Sequence, residues 1–148
     1  MKKFQFSLEK VLTYKDQNLE SELANLSELY HQLHQIEEKL IGLQQKYERC
    51  VQDYENAKRN TTPATCKLYL NYLDLLTNTI KECEQERNEF LIKINYQIEL
   101  IKKLKVETKS LETIKKSRFE LYKKEMIKKT ERQVEEFVST ASLISKSF

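Results

Sequence analysis

Leu12, Leu19, Leu26, Leu33, Leu40, Tyr47 and Tyr54 stand seven residues apart, an apolar row held through six consecutive heptads. A free α-helix turns with a period of about 3.6 residues and drifts about 20° per heptad from such a row. Keeping the row in place requires a partner helix to wind around, so the stretch reads as a coiled-coil seam. Leu23 and Tyr30 fill the intermediate positions among the early leucines, and Ile36, Leu43, Cys50 and Ala57 serve the later turns. Two three-residue steps in succession, at Tyr30, Leu33 and Ile36, predict a stammer that overwinds the coil locally. Glu37 and Gln44 then occupy positions that the earlier register would have turned inward.

A partner for this seam is present in the same chain. The 148 residues hold one glycine, Gly42, one proline, Pro63, no tryptophan and 33% charged side chains. A compact fold of this length needs several tight turns, where glycine and proline concentrate, and here there is material for one. Asn60, Thr61, Thr62 and Pro63 supply it, with Thr62 as N-cap and Pro63 at the first helical position, where its missing N–H costs nothing. The pattern predicts helix one over about 7–59, a turn at about 60–62 and helix two over about 63–140, one coiled-coil domain spanning 1–148. Helix two has its own stripe: Tyr69, Leu73, Leu76, Ile80, Cys83, Phe90, Ile94, Ile98, Ile101, Leu104, Leu111 and Ile114, interrupted by Arg87, Gln97 and Thr108. A short connection between long helices favours antiparallel neighbours. The expected fold is therefore all-α, two long helices forming an antiparallel coiled-coil hairpin. At about 1.5 Å per residue these helices would be about 80 and 115 Å long.

The two predicted helices are unequal. With the turn centred near residue 61, helix one runs out opposite about residue 116 and leaves the end of helix two without an internal partner. Phe119, Tyr122 and Met126 continue an apolar stripe there, and Val134, Phe137, Val138 and Ala141 make a second cluster. Such a stripe predicts an external partner, or a copy of itself, or a fraying end. Phe4, Phe6, Leu8, Val11 and Leu12 fall at the same end, so both chain ends are expected to form one adhesive tip.

Charge is uneven. Residues 1–59 carry nine basic and ten acidic side chains, 60–148 carry seventeen and thirteen, and 102–129 carry eleven basic against four acidic. The last segment has three readings: a surface for nucleic acid or anionic membrane, a dock for an acidic protein, or a solvated face. Its basic residues are ten Lys and Arg118, which disfavours sequence-specific nucleic-acid recognition, since base-edge readout leans on Arg.

Catalytic patterns are missing from the sequence. One glycine cannot build a phosphate-binding loop. His31 and His34 share a helix face, but no Cys or carboxylate set completes a metal site around them, and paired glutamates such as Glu37 with Glu38 belong to an ionic coiled-coil surface. No enzymatic activity, cofactor or metal is expected. Cys50, Cys66 and Cys83 are odd in number, and two sit at seam positions as small apolar residues, which points to a reducing compartment. Glu9 and Lys10 cut short the apolar stretch that an export signal would need, so the cytoplasm is the expected location.

The opening Phe4, Phe6, Ser7, Leu8, Glu9, Lys10, Val11, Leu12, followed by Tyr14 and Lys15, resembles the start of the bacterial flagellar export protein family FliJ. Tyr69, Asn71, Tyr72, Leu73, Leu76 and Ile80 resemble that family's aromatic and aliphatic run after the turn, and Val134, Glu135, Glu136, Phe137 its acidic-aromatic C-terminal segment. The resemblance implies a two-helix antiparallel coiled coil similar to the central stalk subunit of rotary ATP synthases. It also implies three kinds of partner: the hexameric flagellar export ATPase, whose ring assembly it would promote, the cytoplasmic domain of the export-gate membrane protein, and export chaperones. Membrane association would be peripheral, through those partners. In this picture Phe4, Phe6, Leu8, Val11, Phe119, Tyr122 and Met126 would enter the ATPase ring. An ungapped match through Asn71 and Tyr72 places the gate-binding patch on Tyr72, Leu75, Thr79, Glu82 and Glu86, where only Leu75 clearly keeps the apolar character of the family's patch. Leu43 and Tyr47 either contribute to a neighbouring surface or pack in the seam. Rival readings are the equivalent stalk of a virulence-type secretion system, a periplasmic coiled-coil chaperone, and a basic scaffold coating nucleic acid or membrane through 102–129.

Overall fold

The computed structural model describes residues 2–147. It contains two helices, α1 (Glu9–Ala57) and α2 (Pro63–Ser147), packed against one another as an all-α helical hairpin, with no strand among the described residues. α1 opens where the Glu9 N–H donates to the Phe6 carbonyl at 3.0 Å and the Leu12 N–H to the Leu8 carbonyl at 2.9 Å. Glu9 sits in its first turn, where a carboxylate meets the positive end of the helix dipole. α1 closes at Ala57, whose carbonyl accepts from the Asn60 N–H at 3.0 Å. Thr62 caps α2: its Oγ1 accepts from the Thr65 N–H at 3.3 Å, and Pro63 takes the first helical position. α2 continues to Ser147, past the end expected near residue 140. The run Thr140, Ala141, Ser142, Leu143, Ile144 contains no glycine or proline to stop it.

The chain divides into two compact units, Glu20–Lys102 and the pairing of residues 2–19 with 103–147. In the first unit α1 and α2 run antiparallel, with Tyr54 against Tyr69 beside the turn and Glu22 against Gln97 at the other end. Its centre is Ile36, Leu40 and Cys83, flanked by Leu43, Ile80 and Phe90. Leu33, Cys50, Leu76, Ile94, Gln97 and Ile101 are also buried. In the second unit Phe6, Leu12, Leu104 and Thr108 are buried, and Lys15 meets Glu107 at 2.7 Å.

The inward rows differ from the expected seam. The inward row of α1 in the first unit runs Glu22, Leu26, Leu29, Leu33, Ile36, Leu40 and Leu43, then Cys50, Tyr54 and Ala57, with Gln32, Gly42 and Val51 half-buried beside it. From Glu22 to Leu43 the steps alternate between four and three, so the expected stammer is absent; a step of seven then passes over Tyr47. Leu23 is 41% exposed and Tyr30 48%, and Tyr47 also lies on the exposed side. The physical reason is that a change of register would force local overwinding, whereas a single inward Glu22 needs one hydrogen-bonding partner. Gln97 of α2 provides it, donating from Nε2 to the Glu22 carboxylate and to the Glu22 carbonyl at 3.0 Å. On α2 the supposed interruptions are themselves seam residues: Gln97 and Thr108 are buried and Arg87 is half-buried. Ile114, expected inside, is 39% exposed, and Lys115 turns inward in its place to meet Glu9 at 2.8 Å.

Candidate interaction surfaces

The chemistry of the described residues is that of contacts. No group of three or more His, Cys, Asp or Glu that could hold a metal ion occurs among them. His34 pairs with Glu38 at 3.0 Å and His31 with Gln35 at 3.3 Å, each along one helix face. No helix among the described residues is long and apolar enough to cross a membrane. All three cysteines are free thiols. Burial first, and the Asp53 carboxylate second, push the Cys50 thiol up and keep it protonated.

In the unit formed by residues 2–19 and 103–147, a non-helical arm, residues 2–7, packs on α2 around Arg118 to Tyr122. Three aromatic rings meet there. Phe4 stands edge-on to Phe119 at 5.1 Å between centroids and tilted to Tyr122 at 5.6 Å, and Phe119 stacks on Tyr122 at 6.3 Å. Offset and edge-to-face pairs of this kind each add about 0.5–1.5 kcal/mol beyond area burial. Polar contacts fasten the arm: Tyr122 Oη donates to the Lys2 carbonyl at 2.6 Å, and Arg118 Nη1 donates to Ser7 Oγ at 2.8 Å. The same guanidinium lies 5.4 Å from the Phe6 ring centroid. The stripe formed by Phe119 and Tyr122 therefore has an internal partner, contrary to the sequence expectation. The α1 pattern stops at Glu9, but a non-helical segment can still cover one turn after another of α2 through its aromatic side chains. Beyond Met126 no such cover occurs among the described residues: Ile127, Val134, Phe137, Val138, Leu143 and Ile144 are all exposed, Phe137 by 74%.

Of the seven residues expected at the tip, Phe6 is buried, Phe4, Leu8, Tyr122 and Met126 are half-buried, and Val11 and Phe119 remain on the surface. Arg118, which links Phe6 to Ser7, was not among them. Lys15 and Glu22 were also missed, although stepping from Leu12 by three and four lands on Lys15, Leu19 and Glu22 and would have found both.

In the unit Glu20–Lys102, Tyr72, Leu75, Thr79, Glu82 and Glu86 follow steps of three and four and share the outward face of α2. Tyr72, Leu75, Glu82 and Glu86 are exposed, Leu75 by 60%. Thr79 is half-buried and its Oγ1 donates to the Leu75 carbonyl at 2.8 Å, so its hydroxyl is already engaged within the helix. Beside Tyr72 an open groove of about 610 Å³ runs between the helices, floored by Cys50 and Tyr69 and edged by Lys46, Arg49, Asp53 and Leu68. Leu43 packs against the core of Ile36, Leu40 and Cys83, while Tyr47 stands at the surface.

No curated protein and no solved structure matched the chain. The family model described as flagellar FliJ protein matches residues 4–146, from the aromatic arm through nearly all of α2. Coverage of that extent, on a two-helix hairpin of the kind the resemblance implied, establishes that this chain belongs to the flagellar FliJ protein family.

Proposed function

We propose that this protein is a non-enzymatic stalk component of the flagellar type III protein export apparatus. It binds the hexameric export ATPase ring, promotes its assembly and activity, and links it to the export gate and to export chaperones. The observation that carries this is the family match over residues 4–146. In keeping with it, the protein would reside in the cytoplasm at the flagellar base and reach the inner membrane through its partners.

Two surfaces divide the work. The ATPase contact is the region of Phe4, Phe6, Leu8, Val11, Phe119, Tyr122 and Met126, supported by the aromatic side chains that stay accessible there and by the uncovered apolar side chains of α2 that follow. The gate contact is the outward row Tyr72, Leu75, Thr79, Glu82 and Glu86, supported by the exposure of Tyr72 and Leu75. A helix satisfies its backbone hydrogen bonds internally and a seam resists shear, so each paired stretch can offer its partner a firm surface. The nucleotide chemistry belongs to the ATPase.

Co-purification from cells at moderate salt tests the proposal: the export ATPase and the gate protein should both be recovered, and recovery of neither would overturn it. At residue level, alanine at Phe119, Tyr122 and Met126 together should abolish stimulation of the ATPase with helicity unchanged. Because Phe119 and Tyr122 also hold the arm, Arg118→Ala, which removes the Ser7 and Phe6 fastenings and lies outside the contact set, serves as the control. Loss in the triple variant but not in Arg118→Ala assigns the effect to direct contact, and full stimulation by the triple variant removes the tip from the mechanism.

A further inference from the structure

The lysines of α2 form a face of their own. Lys109, Lys116 and Lys123 repeat every seven residues and are exposed, and Lys105, Lys124 and Lys128 fall on the same side of the helix, also exposed. The inward residues of this stretch, Leu104, Thr108, Leu111 and Lys115, point the other way. Glu120 is the acidic side chain on the face, 3.7 Å from Lys123, with Glu112 at its edge. Among the described residues Lys105, Lys109, Lys116, Lys124 and Lys128 make no ion pair. Val106, Leu121 and Ile127 stand exposed between or beside them.

We propose that this outward face of α2, from Lys105 to Lys128, docks peripherally on an anionic phospholipid surface. Three features select that occupant. The charge is carried by lysine alone, because Arg118 is turned away to Ser7 and Phe6. Lysine is a point charge on a long stem, suited to a diffuse array of headgroups, whereas paired recognition of carboxylates or base edges leans on the arginine fork. The outward face of one helix presents its lysines along one side, and exposed Val106, Leu121 and Ile127 can enter the headgroup layer beside them. The rings of Phe119 and Tyr122 pack against the arm, and Lys123 Nζ covers the Phe119 ring at 4.7 Å from its centroid, so neither ring stands free as a stacking platform of the kind that single-stranded nucleic acids use. Membrane contact of this kind adjoins the proposed ATPase contact at Lys123 and otherwise extends over the opposite side of α2.

The test is co-sedimentation of the full chain with vesicles of phosphatidylcholine alone and of phosphatidylcholine mixed with phosphatidylglycerol. Binding is expected to the mixed vesicles only, and to weaken as salt rises. Each lysine removed should lower partition by about fivefold, so Lys109→Glu, Lys116→Glu and Lys124→Glu together should lower it at least a hundredfold. The neutral triple variant, glutamine at the same three positions, should lose about a hundredfold, with unchanged circular dichroism in both. Equal binding to both vesicle types, absence of binding to either, or retention by the triple variants overturns the proposal. So does an oligonucleotide competitor that binds more tightly than the mixed vesicles at the same salt, which would assign the face to nucleic acid.

Discussion

The same long helix is stabilised in two ways. In the unit Glu20–Lys102, α2 is matched by α1, with Ile36, Leu40 and Cys83 packed together and Leu76 and Ile94 buried further along the same seam. In the unit made of residues 2–19 and 103–147, its cover is α1 for a few turns, then a non-helical arm held by Phe4, Phe6 and Arg118, and past Met126 none among the described residues. A seam makes each turn depend on a facing turn, and so couples all of them. An arm fastens single side chains and leaves the neighbouring turns to their own helix propensity, which is marginal in water over a few turns.

The contrast is sharpest at single residues. Leu40→Ala, at the buried centre of the seam, is expected to destabilise the protein by about 2–4 kcal/mol in urea denaturation followed by circular dichroism, against less than about 0.5 kcal/mol for the exposed Phe137→Ala. Equal losses would erase the distinction between the two regions. On the arm, Phe6→Ala should cost about 2 kcal/mol, and the loss should be local. Amide exchange would quicken at residues 2–8 and around Arg118 while Ile36, Leu40 and Cys83 keep their protection. Exchange rising equally in both units would show that the arm is part of the seam's cooperative system.

The polar layer offers a test in the opposite direction. Replacing both Glu22 and Gln97 by leucine is expected to raise stability by about 1–2 kcal/mol, because a buried polar pair gives way to apolar packing. Gln97→Leu alone should lower it by a similar amount by stranding the Glu22 carboxylate. If the double variant also loses its two-helix pairing, the layer is what fixes register. Gly42→Ala should gain about 1 kcal/mol: the helix interior penalises glycine, its φ is not positive, and a new Cβ meets nothing within 4 Å.

The smallest effect concerns pH. The Lys15 ammonium, chiefly through its hydrogen bond, holds the Glu107 carboxyl below its ordinary value. A depressed folded value means that the contribution is complete above the ordinary value and is lost as pH falls through the folded one. Thermal midpoints measured down through that range should fall in the native protein, and Lys15→Met should flatten this part of the curve. A curve unchanged by Lys15→Met would leave the ion pair without a role.

Much of the hairpin was legible in the residues. The seven-residue row from Leu12 to Tyr54, the lone Pro63 and the threonine before it define two helices and one turn, because coiled-coil pairing and helix capping are written in local spacing. The inner positions were less legible. Leu23 and Tyr30 are apolar and sit beside the seam, while Glu22 is charged and sits in it; composition alone ranks them in the wrong order. The candidate surfaces were read with the same bias. Leu75 was rightly placed outside by its step from Leu73 and Leu76, but Phe119 and Tyr122 looked uncovered because a non-helical arm has no periodicity to announce it.

By itself the sequence determined that the chain is helical, where it turns, that it folds back on itself, and which family it belongs to, since each rests on the spacing and identity of neighbouring residues. Tertiary structure alone decided that Glu22, Lys15 and Lys115 turn inward and that residues 2–7 lie on Phe119 and Tyr122. Those outcomes depend on whether a partner far along the chain can satisfy a charge or cover a ring, and the cost of burying a polar group is set by that partner rather than by the residue itself.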